Sequence, residues 1–322
     1  MFPFKIEERR KYLARCRISV VRIFCHERNI LHEMSSNVDN LENAQKPTFG
    51  ILMVATNEYL ELWQETMFQI LKFSSDLDEN VRIHLFTNKV NDAKTWIEKY
   101  SGDFGIFVHE IPAWGWPEAT LLRYSFFREA QEYLKEDLLI YLDSDMDIRS
   151  NFIAELKPSE WENGLAFVQH PGFYRPKGWK RFLVSIISPK LLIQDLKKIF
   201  KGLRALGDWE NRPDSLAFVP RKLQKQYVHG AIWFGRREQF LAMVSLLAER
   251  TNTDLDNGVI AKWHDESHLN WFASRTKVSI LGNEFSGVAG YANLRFIQPL
   301  VVSRKKHGDI GRRPTNKVES RK

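Results

Sequence analysis

Between Phe49 and Leu142 the chain alternates short apolar runs with segments of helical period, and this alternation constrains the fold more than any other feature. The runs "FGILMVAT", "VRIHLFT", "FGIFVHEI" and "DLLIYL" have the length of buried strands and are too short for core helices. Between them, "YLELWQETMFQILKF", "DAKTWIEKY" and "ATLLRYSFFREAQEYL" repeat apolar residues at three and four positions, the spacing of one helix face. Strands separated by helices require crossovers, so the pattern predicts βαβ units in an α/β fold with a mainly parallel sheet. The second half is less regular. "LAFVQH" and "YVHGAIWFG" read as strands, "RREQFLAMVSLLAER" and "ESHLNWFASR" as helices, and residues 175–220 as a long loop without clear periodicity.

The ends differ from this body. Residues 34–46, "MSSNVDNLENAQK", read as a polar linker, and the chain after Arg304 as a basic tail. The formal charge is +7, but residues 1–30 contribute +5 and residues 304–322 contribute +6, which leaves the body at −4. A mildly acidic body argues against a nucleic-acid-binding face. Cys16 and Cys25 are the only cysteines, so neither a disulfide framework nor a cysteine-rich zinc site is available. "ISVVRIF" is too short for a membrane span and lacks the features of a signal peptide. The expectation is a soluble, cytoplasmic form. Residues 5–33 read as a basic amphipathic helix, exposed or in weak peripheral contact with a membrane.

"DLLIYL" is followed by "DSDMD", which places Asp143, Asp145 and Asp147 where ligands bind in open α/β sheets, beyond the carboxyl ends of strands. In an extended segment the three carboxylates share one side, so the chain must either turn away quickly or hold a cation. Carboxylates without cysteine favour Mg²⁺ or Mn²⁺, which bind through one or two carboxylates plus substrate phosphates. An EF-hand loop fails, because Ile148 and Ala154 stand where Gly and Glu are needed. A phosphatase-type aspartyl nucleophile and a solvated, helix-capping turn stay open at this stage. A second cluster, "WHDESHLN" at 263–270, sets two acids and two histidines in eight positions. His264 and His268 have the four-residue spacing of zinc ligands, but Asp265 departs from the His-Glu-x-x-His order, and acids that merely open a core helix give an equally simple reading.

"WHDESHLN", "DSDM", "HPGFY" at 170–174, "RPDSLAFVP" at 212–220 and "HGAIWFG" at 229–235 together resemble glycosyltransferase family 6, the family of the histo-blood-group A and B transferases and α-1,3-galactosyltransferase. The motifs occur in family order over about Phe49 to His307. The resemblance implies a GT-A fold, in which a Rossmann-like nucleotide-binding half with a mixed, mainly parallel sheet joins an acceptor-binding half. Residues 47–307 would form this domain, with 1–46 as an N-terminal basic helical segment and linker and 308–322 as tail. The implied activity is a retaining, metal-dependent hexosyltransferase moving galactose, or N-acetylgalactosamine, from a UDP-sugar to the 3-hydroxyl of a β-galactoside-containing glycan acceptor. The alternative is a catalytically weak carbohydrate-binding relative on the same scaffold.

By resemblance, Asp143 and Asp145 bind Mn²⁺ (or Mg²⁺), and Asp147 lies outside the matched pair, packed against an arginine such as Arg149. Val54, Ala55, Thr56 and Tyr59 match the segment framing the uracil base. Arg123 and Ser144 complete the donor-nucleotide set with Lys305 and Lys306 of "SRKKHG". Glu266 matches the catalytic carboxylate. His170, Trp263, His264 and Asp265 are expected to meet donor sugar or acceptor. His229, Gly230 and Ala231 lie where the family separates its donors, and His-x-Ala looks like the galactose version. The missing Golgi anchor suggests a soluble bacterial or viral form acting on lipopolysaccharide or related glycans.

Overall fold

The structure is a computed structural model that describes residues 20–22, 47–73, 80–114, 117–200, 202–203 and 205–304. Strands β1 (Val20–Arg22), β2 (Phe49–Val54), β3 (Val81–Thr87), β4 (Ile106–Glu110), β5 (Leu138–Leu142), β7 (Leu165–Gln169), β8 (Val228–Arg236) and β9 (Ser279–Leu281) form one sheet in the order β1-β4-β3-β2-β5-β8-β7-β9. The β4-β3-β2-β5 block is parallel, as the alternation predicts, whereas β8 runs antiparallel to both β5 and β7. The α/β architecture, a mixed sheet with a parallel block, is consistent with the fold that the resemblance implies.

Strand alternation distributes the core over both faces of this sheet. Ile51, Met53, Ile140 and Leu142 pack under helices α1 (Tyr59–Lys72) and α2 (Val90–Tyr100). Leu52, Leu139, Tyr141 and Trp233 pack on the other face against α4 (Arg123–Glu129), α7 (Arg237–Asp256) and α8 (His264–Ala273). The helix expected over 119–134 is interrupted. A single turn, α3 (Glu118–Leu121), is followed by a break at Leu122 (φ −97°, ψ 3°), and α4 then ends at Glu129.

Two expectations are corrected. Val20–Arg22 is a strand, not part of a helix over 5–33: it pairs antiparallel with β4, whose outer edge would otherwise lie open. The rest of that segment, the linker 34–46 and both cysteines lie outside the described residues. Residues 175–220 are not an aperiodic loop, because α5 (Trp179–Ile187) and α6 (Pro189–Phe200) occupy much of the span.

The chain passes from β2 to β3 and β4 on one side, then returns to place β5 on the other side of β2. The switch point of the sheet therefore lies at the carboxyl ends of β2 and β5, where Ala55 and Asp143 follow. Beyond β5 the chain turns at Ser144–Asp145 and enters β6 (Met146–Ile148), which joins a small second sheet with β11 (Val301–Ser303) and β10 (Gly287–Val288).

Candidate functional site

The amide of Asp143 donates to the carbonyl of Ala231 at 2.9 Å, extending the β5–β8 ladder one step past the last strand pair. That bond brings the first acid of "DSDM" beside the "HGA" of β8. The side-chain amide of Asn270, on α8, donates to the Val228 carbonyl (2.9 Å) and accepts from the Val228 amide (2.8 Å). This pairing fixes α8 against β8 and sets Asp265 and Glu266 in its first turn. His264, which opens that turn, sits at φ +47°, a left-handed conformation costly for a side chain with Cβ.

These elements enclose a cleft of about 440 Å³ lined by Arg123, Asp143, His170, His229, Gly230, Ala231, Trp263, His264, Asp265 and Glu266, all expected from sequence. Thr120, Phe173, Asp208 and Tyr227 also line it and were not anticipated. Tyr227 carried a legible signal: 227, 229 and 231 share one face of an extended segment. Asp208, which accepts from the Trp263 indole at 2.6 Å, carried none. The half-exposed Trp263 presents an aromatic face to the cleft while its N–H is held.

Arg123 is the centre of charge. It is 5% exposed, and one guanidinium nitrogen lies 3.3 Å from Asp143, 3.2 Å from Asp265 and 3.5 Å from the Gly230 carbonyl. The guanidinium also stands 4.5 Å from the centre of the Tyr141 ring, whose hydroxyl donates to Asp143. Burial works against its charge, but Asp265 and then Tyr141 and Asp143 hold its pKa above the ordinary value. Burial pushes Asp265 up to about 6, against the pull of Arg123.

Glu266 is held at both oxygens: Tyr227 donates its hydroxyl to Oε1 and Gly230 its amide to Oε2, each at 2.8 Å. Burial pushes the carboxyl up to about 8 even so, with Asp265 and Asp143 adding to the rise. A Cβ on Gly230 would lie 3.0 Å from the Glu266 Cβ and 3.3 Å from its Oε2, so a side chain here presses on the carboxylate.

His170, His229 and Glu266 bring ligand atoms within 4.8 Å of one another, a grouping that could be considered for a metal. Its chemistry suits hydroxyl groups better. The Gly172 amide donates to His170 Nδ1 (3.1 Å), which puts the proton of a neutral ring on Nε2 as a donor, and both Glu266 oxygens already accept. Burial lowers His170 to about 4 and holds His229 well below its ordinary value, so both rings are neutral at pH 7. The His264/His268 pair does not face one cavity: His264 lines the cleft, while His268 is fully buried, 3.5 Å from Asp254, and lowered by burial to about 3.

The oxygen donor set lies at the turn after β5. Asp143 and Asp145 are both partly exposed, and the turn backbone is clamped by Thr66 of α1, whose Oγ1 lies 2.9 Å from the Ser144 carbonyl and 2.8 Å from that of Met146. On the other side the Arg304 amide donates to the Asp145 carbonyl at 3.1 Å. Two carboxylates on a fixed turn at a sheet switch point suit a hard divalent cation that completes its shell with phosphate. Asp147 turns into β6 and pairs with Arg304 at 2.7 Å, and with Gln69, rather than with Arg149. Ser144, Ala55 and Thr56 are buried, Val54 and Tyr59 half-buried, and none of the five lines the cleft. Lys305 and Lys306 lie outside the described residues, directly after Arg304.

A family model for glycosyltransferase family 6 matches residues 184–306. The chain is similar to an O-antigen biosynthesis glycosyltransferase, WbnI, of Escherichia coli, 24% identical over 172 residues, covering 53% of this chain and 61% of that protein. Histo-blood group ABO system transferases 1 and 2 of Rattus norvegicus are each 24% identical over 250 residues, covering 75% of this chain and 62% and 64% of theirs. The chain thus spans about six-tenths of the length of the relatives it matches. Motif order, architecture and these matches agree, and the chain is related to glycosyltransferase family 6.

Proposed function

We propose that the chain is a retaining hexosyltransferase that moves galactose from UDP-galactose to the 3-hydroxyl of a β-galactoside-type acceptor, with Mn²⁺ or Mg²⁺ at Asp143 and Asp145. The observation that carries the reading is the opposition, across one cleft, of a doubly hydrogen-bonded carboxylate, Glu266, and the acidic turn after β5, with Arg123 joining the two sides. A divalent cation on the turn would neutralise the diphosphate and ease its departure. Val54, Ala55, Thr56 and Tyr59, at the carboxyl end of β2, are the base-side residues of this reading, and Ser144 belongs to the same turn. Lys305 and Lys306, the diphosphate-side lysines of this reading, follow in sequence a residue tied to Asp145.

Overall, the anomeric carbon loses its bond to the diphosphate oxygen and gains one to the acceptor oxygen, and the acceptor's proton passes to the departing diphosphate. Ionised Glu266 faces the positive charge that grows at that carbon, as either route to retention requires. Tyr227 and Gly230 keep the carboxylate from rotating away. His170 offers Nε2–H to a sugar hydroxyl, Trp263 a surface for the sugar ring, and Asp265 an acceptor of hydroxyl protons. Ala231, with His229 and Gly230, narrows the donor side against an N-acetyl group, which favours galactose over N-acetylgalactosamine.

The test is UDP release from UDP-galactose, UDP-N-acetylgalactosamine and UDP-glucose with lactose or a fucosylated β-galactoside, with Mn²⁺ or EDTA. The expected result is turnover with UDP-galactose that is lost in EDTA and falls at least 100-fold in Asp143→Asn. Sugar binding without turnover on any donor would refute the enzyme reading and leave the carbohydrate-binding alternative.

A further inference from the structure

The α5–α6 hairpin is built inside out. Soluble helices bury their apolar stripe, yet α6 turns Asp195 and Gln194 toward the domain and leaves Ile193, Leu196, Ile199 and Phe200 exposed. On α5, Trp179, Phe182 and Ile186, spaced three and four apart, are exposed by 61–68%, and Phe200 by 85%. Nine of the 17 large apolar side chains exposed among the described residues fall between Trp179 and Phe200. A contiguous surface of this kind marks an interaction site.

The polar side explains how the hairpin holds this posture. Asp195 accepts from Arg175 at 2.9 Å and from Arg181 at 2.8 Å, and Arg175 also donates to Gln194 at 2.8 Å. Trp179 meets Phe296 edge-on at 5.7 Å, and Asn293 donates to the carbonyls of Pro171 and Tyr174 at the base. The apolar face is thus presented by a fixed polar underside.

Charge selects the occupant. Residues 175–204 carry nine Lys/Arg and one acid, Asp195, which is already paired. A second copy of this chain would bring a like-charged face against it, whereas exposed aromatics and leucines bordered by lysines such as Lys190, Lys197 and Lys198 fit a surface with apolar depth and negative headgroups. We propose that the hairpin docks this protein on an anionic lipid membrane, with Trp179, Phe182, Ile199 and Phe200 inserted among the lipids. The hairpin is inserted between His170 and Phe173 on one side and Asp208 on the other, all lining the cleft, so docking brings the cleft to the membrane surface. On the glycosyl-transfer reading, on which this last step rests, the acceptor is then a glycan carried by a membrane lipid.

Flotation of the full chain with phosphatidylcholine vesicles, with and without 30% phosphatidylglycerol as a chosen composition, tests the docking without reference to catalysis. The expected result is binding that needs phosphatidylglycerol and falls at least tenfold in the triple variant Phe182→Ser, Ile199→Ser, Phe200→Ser, and also in Lys197→Glu, Lys198→Glu. Brominated acyl chains should quench the parent's fluorescence more than that of Trp179→Phe. The substituted side chains are exposed, and unchanged circular dichroism checks that each variant is folded. Equal binding by parent and triple variant would overturn the proposal by assigning the contact to the basic chain ends. So would a parent that ignores the vesicles, or that forms dimers which the triple variant dissolves. Failure of the glycosyl-transfer reading would appear separately, as absent UDP release with flotation intact.

Discussion

The raised pKa of Glu266 makes the proposed catalytic carboxylate a burden on the fold, and the substitution Glu266→Gln exposes it. In the unfolded chain this carboxyl loses its proton near 4.5, in the folded chain near 8. Between those values the folded state binds more protons than the unfolded state, so stability falls as pH rises through that window. At about 1.4 kcal/mol per pH unit the folded state forfeits at most ~3 kcal/mol by pH 7. The residue keeps part of its surface open to the cleft, which screens the charge and brings the expected figure to about 1–2 kcal/mol. Glutamine has the same shape: its carbonyl can accept from the Gly230 amide, and its NH₂ can donate to the Tyr227 oxygen once that hydroxyl rotates. Both contacts survive and the ionisation cost disappears.

Urea unfolding followed by tryptophan fluorescence at pH 5 and pH 8 reads the difference directly. The variant should nearly match the parent at pH 5, exceed it by about 2 kcal/mol at pH 8, where the loss is larger than at pH 7, and lose turnover at both. A stability difference that does not change between the two pH values would refute the argument, because only an ionisable group that is strained when charged produces that pH dependence.

Arg123→Met keeps the volume of the stem but leaves Asp143 and Asp265 without their shared cation. The expected loss is about 3–5 kcal/mol in urea unfolding, and an unchanged midpoint would show that the ion pairs contribute nothing. Gly230→Ala brings a methyl 3.0 Å from the Glu266 Cβ and 3.3 Å from its Oε2, so kcat should fall about tenfold or more with the fold retained. Parent-like kcat there would show that the carboxylate position is not critical. The parent's kcat/KM should rise with pH along a limb whose midpoint lies at or below about 8, since Glu266 must ionise, and flat activity from pH 5 to 8 would contradict its assigned role.

The first half of the fold was legible because period alone separates buried strands from helices, and β2, β3, β4 and β5 fall where the apolar runs predict. The antiparallel β8 was visible as a strand, but nothing local sets its direction. That follows from a chain path through α5, α6 and the loops to Val228, which no short-range signal encodes. The hairpin was misread because its apolar face points outward: with Pro189 opening the second of two short helices, the segment resembles a loop to any reading that expects apolar residues inside. At the site, motif residues were found and the contacts that position them were not. Thr66 lies about two helical turns beyond Tyr59, the nearest residue singled out beforehand, and Asp208 lies in a stretch without periodicity.

Arg123 also explains why two acidic clusters, over a hundred residues apart in sequence, can approach at all. Asp143 belongs to the parallel half and Asp265 to α8, and without a cation their convergence would oppose folding before any ligand arrived. One buried guanidinium serves both, and the Tyr141 hydroxyl stabilises Asp143 from the strand beneath. The arrangement leaves the Asp143 side chain 30% exposed and Asp265 9% exposed, both lining the cleft. The acidic turn after β5 therefore divides by role: Asp143 is preset by Arg123, Asp145 stays partly open on a clamped turn, and Asp147 is occupied by Arg304. On the proposed reading, Asp143, oriented by Arg123, and Asp145, partly exposed on the same clamped turn, would hold a divalent cation whose ligand set a diphosphate completes.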